Sequence, residues 1–235
     1  MFPIGDDNHG ARGLPVITWS LIALNVLVFL YQSMLPLEGL RDFIFMYGSI
    51  PAEIEQGQDL YTLLTSMFVH GGFAHIFGNM LFLWIFGDNI EQRFGPGLYL
   101  AFYLGSGLAA TGAHILTNSG STVPSVGASG AISGVMGAYV LLYPTNRVWV
   151  WFGYFGITHV PAFFFLGFWF VLQFINGLAA LSVQTAQSSG VAFWAHIGGF
   201  VAGLAIGGVL ALFRPEPERV RRKSGSWRDD EGWLW

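Results

Sequence analysis

Residues Val191 to Phe213 read VAFWAHIGGFVAGLAIGGVLALF, an apolar run without a single acidic or basic residue. It is long enough to cross a bilayer core, which takes about 20 mostly apolar residues in a helix. Ala195, Gly199, Gly203 and Gly207 recur every fourth residue, so they line one helical face and predict close approach of a neighbouring helix. His196 is the exception in this run, an ionisable group in a segment where such groups are costly and functional by default.

The rest of the chain has the same character. Of 235 residues, 53% are hydrophobic and only 10% charged, and mean hydropathy is +0.54; a soluble domain carries about 25% charged residues. The net charge of −4 is too small to suggest a nucleic-acid partner. The absence of cysteine excludes disulfides, thiolate metal sites and a cysteine nucleophile. The first fifteen residues, with Asp6, Asp7 and Arg12, resemble neither a secretory signal nor a transit peptide, so the chain is expected to be mature from residue 1.

Six segments are predicted to span: about 16–35, 67–87, 98–116, 126–143, 161–183 and 191–213. Prolines and glycines punctuate their ends, among them Pro36, Gly95-Pro96-Gly97, Pro144, Pro161 and Pro215. The expected fold is all-α, a six-helix polytopic bundle spanning 16–213, with a cytoplasmic segment at 1–15, an outer loop at 36–66 and a charged cytoplasmic tail at 214–235. With the N-terminus inside, Arg12, Arg93, Arg147, Arg214, Arg219, Arg221, Arg222, Lys223 and Arg228 fall on the inner side and Arg41 alone outside, which satisfies the positive-inside rule. The stretch Val148–Ile157, too short to span, is expected to lie in the interface. The tail is expected to be disordered and to touch anionic headgroups.

In this topology the second, fourth and sixth spans all enter from outside and bring His70, His75, Asn79, Ser129 and His196 to similar depth. His75 and Asn79, four apart, share a helix face. Ser129 sits in Gly127-Ala128-Ser129-Gly130 at a helix N-terminus, where glycines keep the hydroxyl open and unpaired N–H groups could receive an oxyanion. Ser133, Gly134, Gly137 and Ala138 form a small-residue face that could pack on Gly199 and Gly203, bringing Ser129 and His196 within hydrogen-bonding reach. No carboxylate lies deep in the spans, which favours a Ser–His dyad and disfavours a transporter or an aspartyl protease. No His-Glu-x-x-His motif is present, so no zinc or other cofactor is expected.

Three blocks resemble the rhomboid family of intramembrane serine proteases: His70-Gly-Gly-Phe-Ala-His75-Ile-Phe-Gly-Asn79, Gly127-Ala128-Ser129-Gly130, and Ala195-His196-Ile197-Gly198-Gly199 with Gly203. Glu91-Gln92-Arg93-Phe94-Gly95 resembles a fourth. The resemblance implies Ser129 as nucleophile, His196 as general base, and Asn79, His75 and the Ser129 N–H as oxyanion donors. It also implies water or substrate contact at His70 and Gly127, and transmembrane proteins as substrates. The Phe-rich fifth span would correspond to the helix thought to gate substrate entry. A bacterial plasma membrane is the expected location. A client-binding relative without catalysis is the alternative, and such relatives usually lack the serine or the histidine. Two departures stand out. Tyr61 and Thr62 replace a Trp-Arg pair, so a looser outer loop is expected. Ser133 replaces an aromatic that stacks on the catalytic histidine, so His196 must be oriented by other neighbours.

Overall fold

The computed structural model describes residues 2–7, 13–182 and 192–213. The predicted tail at 214–235 lies outside the described residues, as do Arg12 and every basic residue beyond 213. Nine α-helices are described: α1 Val16–Met34, α2 Leu37–Tyr47, α3 Pro51–Glu55, α4 Thr62–Thr65, α5 Phe73–Phe94, α6 Pro96–Thr117, α7 Ser129–Leu142, α8 Ala162–Ser182 and α9 Phe193–Phe213. Helices α1, α6, α8 and α9 are long and apolar enough to cross a membrane. The helical run 62–68 joins α5 at a 94° bend and makes a fifth candidate. The protein is thus a largely helical, multi-pass membrane protein.

The expectation of six full-length spans needs amending at two of them. The second is not one continuous helix from residue 67, because the chain bends at Gly71-Gly72 and α5 begins at Phe73. His70 therefore sits in the bend rather than on the helix. The fourth is only 14 residues long, about 21 Å of helix against a hydrocarbon core of about 30 Å. Every residue of α7 from Gly130 to Tyr139 is buried by neighbouring helices, so this helix has no lipid thickness to match.

The all-α expectation also fails locally. β1 Phe2–Asp6, β2 Arg147–Trp151 and β3 Ile157–Pro161 form an antiparallel sheet in the order β1-β2-β3. The stretch read as interfacial is thus a hairpin. In β2 Val148 and Val150 are buried while Arg147, Trp149 and Trp151 are exposed, the period of two that a half-buried strand imposes.

Buried polar groups tie the helices together. α1 begins after Pro15 without a side-chain cap of its own. Glu91, near the end of α5, instead accepts the N–H groups of Ile17 and Thr18 at 2.9 and 2.8 Å and the Thr18 hydroxyl at 2.8 Å. A carboxylate at a helix start satisfies orphan donors and complements the dipole. Farther along α1, the Gln32 amide donates to the His70 carbonyl and accepts the His70 N–H, each at 3.1 Å. That pair clamps the backbone at the bend.

The centre of the bundle is the α7–α9 contact. A Cβ built on Gly199 would stand 2.0 Å from the Gly130 carbonyl oxygen, and one on Gly203 only 1.9 Å from that of Gly134. No side chain fits there, so backbone lies on backbone. Gly203→Val should therefore separate the helices; over-packing costs about 1–3 kcal/mol, and a lower thermal midpoint in detergent together with loss of activity is expected.

The sheet docks on the bundle through Asp6. Its carboxylate accepts hydrogen bonds from the Tyr139 hydroxyl on α7 and from the Asn89 amide on α5. Burial outweighs these bonds and, with Asp88 nearby, pushes the Asp6 pKa up from 3.8 to about 7. The folded state therefore holds this proton where the unfolded chain releases it, and the stabilisation is present below pH 3.8 and lost as pH rises through about 7. Between pH 5 and 8 the melting temperature of the wild type should fall, and that of Asp6→Asn should fall less. Parallel curves would contradict the assignment.

Candidate active site

Ser129 is the first residue of α7. Gly127 ahead of it has φ +126°, a conformation open to glycine, and its N–H donates to the Ser66 carbonyl at 2.8 Å. The segment 36–66 braces this approach, since Ser49 and Ser125 exchange backbone hydrogen bonds at 3.0 and 2.8 Å. At Tyr61 and Thr62 the loop is tied rather than loose: the Tyr61 hydroxyl donates to the Met46 carbonyl at 2.8 Å, and Thr65 reaches that of Tyr47 at 2.9 Å.

His196 lies one turn into α9, and its Nε2 is 2.8 Å from the Ser129 hydroxyl oxygen. Its other ring nitrogen, Nδ1, is 2.9 Å from Oε1 of Gln173 on α8. An amide oxygen can only accept, so Nδ1 carries the proton and the Nε2 lone pair faces the Ser129 O–H. The ring of Trp169, one turn from Gln173, is tilted 37° to the imidazole at a centroid distance of 5.8 Å. Ser133 does not touch the histidine in place of an aromatic; its hydroxyl donates to the Ser129 carbonyl at 2.6 Å. The orienting neighbours of His196 therefore come from α8.

His75 stands across Gly127 from the serine. A Cβ on Gly127 would lie 2.8 Å from His75 Nε2 and 3.7 Å from Ser129 Oγ. The Gly71 N–H donates to His75 Nδ1 at 3.3 Å, which leaves the proton on Nε2, the nitrogen facing this gap. Asn79, one turn along α5 and buried, donates to the His75 carbonyl at 2.9 Å with one of its two amide hydrogens. The His70 ring packs edge-on against His75 at 5.2 Å. A cavity of about 20 Å³, lined by Ser66, Thr111, Ser125, Gly127, Ser129 and Ala195 among others, adjoins the serine. It has room for about one water molecule. No group of three or more His, Cys, Asp or Glu side chains among the described residues could hold a metal.

Sequence reasoning missed Gln173 and Gln32, and the roles of Trp169 and Glu91. Gln173 had a signal: it is an amide in a span otherwise rich in Phe, Leu and Ala, where a polar group needs an interhelical partner.

The fold and site define a multi-pass helical membrane protein with a hydrogen-bonded serine and histidine inside its bundle. A family model described as the rhomboid domain matches residues 57–213, and the chain belongs to that family. It is similar to the rhomboid protease GluP of Bacillus subtilis (strain 168), with 29% identity over 201 residues that cover 86% of this chain and 36% of that protein. RHOMBOID-like protein 5 of Arabidopsis thaliana is 32% identical over 176 residues, 75% of this chain and 52% of its own. The mitochondrial Rhomboid protein 1 of Saccharomyces cerevisiae is 27% identical over 219 residues, 90% and 58% respectively. The chain thus spans well under two thirds of the length of these relatives.

Gly127→Ala forces a methyl into the space between His75 and Ser129 and strains a left-handed backbone. It is expected to abolish reaction of Ser129 with a fluorophosphonate while leaving the far-ultraviolet circular dichroism unchanged. Normal labelling would contradict the tight-gap geometry.

Proposed function

We propose that this chain is an intramembrane serine endopeptidase that cleaves transmembrane segments of other proteins near the outer leaflet. The observation that carries the reading is the 2.8 Å contact between Ser129 Oγ and His196 Nε2, and an Nδ1–H bonded to the Gln173 amide oxygen leaves Nε2 as the base. In the reaction, Nε2 takes the Ser129 proton as the hydroxyl oxygen attacks the scissile carbonyl. The oxyanion receives hydrogen bonds from His75 Nε2–H, from the free amide hydrogen of Asn79 and from the Ser129 N–H at the start of α7. Collapse breaks the C–N bond, and the leaving amine takes the proton back from His196. Water then hydrolyses the acyl ester by the same route, and the cavity beside Ser129 is suited to hold it.

The six-span topology with both termini cytoplasmic belongs to this proposal, supported by the distribution of basic residues. A cytoplasmic segment at 1–15, a membrane domain at 16–213 and a cytoplasmic tail from 214 follow from it. A bacterial plasma membrane is the location this proposal assigns, although bacterial and mitochondrial relatives both match most of the chain. The alternative, a relative that binds membrane clients without cutting them, is disfavoured by the presence and hydrogen bonding of both Ser129 and His196.

The test is cleavage of a panel of single-span substrates by the purified chain in detergent and in liposomes. Wild type should cut, and Ser129→Ala and His196→Ala should be inert. Asn79→Ala should lose about 10²–10³ in kcat, the usual cost of one oxyanion donor. Cleavage that survives Ser129→Ala would refute the nucleophile, and wild-type inertness across the panel would favour the client-binding reading.

A further inference from the structure

In an apolar helix an unpaired amide is costly, and interhelical hydrogen bonds are where such groups are satisfied. Gln173 satisfies its oxygen on His196 alone among the described hydrogen bonds. Around that bond, α8 presents one continuous face to α9. Trp169 stacks at a tilt on His196, Phe170 meets Phe200 at a centroid distance of 4.7 Å, and Gly177 faces the side chains of Ile197, Phe193 and Trp194, which a Cβ there would meet at 3.3–3.5 Å. The opposite face of α8, including Phe164, Phe168, Val171 and Ile175, is exposed.

We propose, resting on the endopeptidase reading above, that Gln173 is a positioning residue for His196, the third member of a Ser129–His196–Gln173 relay in which an amide takes the place of a carboxylate. Its oxygen accepts the Nδ1 proton, which fixes the ring orientation and leaves Nε2 bare for the serine. Unlike a carboxylate it carries no charge into the bilayer, and it does not stabilise the imidazolium by a full ion pair. It also makes the base conditional. Gln173 and Trp169 both sit on a helix whose far face is exposed among the described residues and whose main neighbour is α9. Displacing α8 from α9 would remove the hydrogen bond and the ring contact together, and His196 would lose its fixed tautomer. Catalytic competence is thereby coupled to the docking of α8.

The experiment has two arms on the full chain in detergent. In the first, ¹⁵N-histidine NMR reads the tautomer of His196, assigned by comparison with His196→Gln. The wild-type ring should be protonated at Nδ1 and bare at Nε2, and Gln173→Leu should give a mixture of tautomers. In the second, cleavage kinetics are followed against pH. Removing the orienting group of a charged triad costs about 10⁴ in kcat; for a neutral amide a smaller loss, about 10- to 100-fold in kcat with KM held within about two-fold, is expected of Gln173→Leu. Gln173→Glu keeps an acceptor, so it should retain most of the wild-type kcat, with the acid limb of the pH profile moved to higher pH by the added negative charge. A wild-type ring protonated at Nε2, or a Leu variant with unchanged tautomer and kcat, would overturn the proposal. So would equal loss of kcat and of thermal midpoint in the Leu and Glu variants. If the wild type cuts nothing while its Nδ1 proton depends on Gln173, the protease reading fails and the positioning of His196 stands.

Discussion

The structure depends on backbone meeting backbone between α7 and α9. Gly199 and Gly203 lie against the carbonyls of Gly130 and Gly134, at separations no side chain would permit. In a bilayer there is little hydrophobic gain in bringing two apolar helices together, so close van der Waals contact between small residues must do it. This contact fixes the register of the two helices, and register decides whether the first residue of one meets the histidine one turn into the other. The burial of α7 from Gly130 to Tyr139 follows from the same contact.

Around that axis the remaining helices contribute one constraint each. α5 supplies His75 and Asn79 on one face, and its approach is set by the Gln32 clamp on the bend before it. α1 is held in turn by Glu91 at the far end of α5, so the helix carrying the oxyanion candidates is fastened at both ends. α8 supplies Trp169 and Gln173 to the histidine. In the proposed role as base, His196 needs its tautomer fixed, and no carboxylate is hydrogen-bonded to its ring among the described residues. A neutral amide meets that need without the desolvation cost of a charge. The ring contact to His196 comes from Trp169, while Ser133 bonds the Ser129 carbonyl.

Much of this was legible in the sequence, and what was missed follows a physical pattern. The apolar runs, the four-residue glycine repeat and the histidine and serine blocks mark the membrane class, the helix faces and the site candidates, because composition and helical period act locally. The hairpin 147–161 escaped because two exposed tryptophans alternate with two buried valines, and high overall hydrophobicity masks a period of two. The bend at Gly71-Gly72 escaped because hydropathy is blind to direction. Tyr61 was read as the loss of an anchor, whereas its hydroxyl finds a carbonyl fifteen residues back in the chain. Gln173 and Glu91 escaped for a common reason: each acts on a partner more than twenty residues away, and no local pattern names that partner.

The central claim is that Ser129 is a nucleophile activated by His196 inside the bundle. It is tested most directly by reacting the purified chain with a fluorophosphonate and mapping the adduct by peptide mass spectrometry. A single phosphonyl group on Ser129, absent when His196 is replaced by alanine, is the result this account predicts. An adduct on another serine, or modification of Ser129 that proceeds at the same rate without His196, would contradict it.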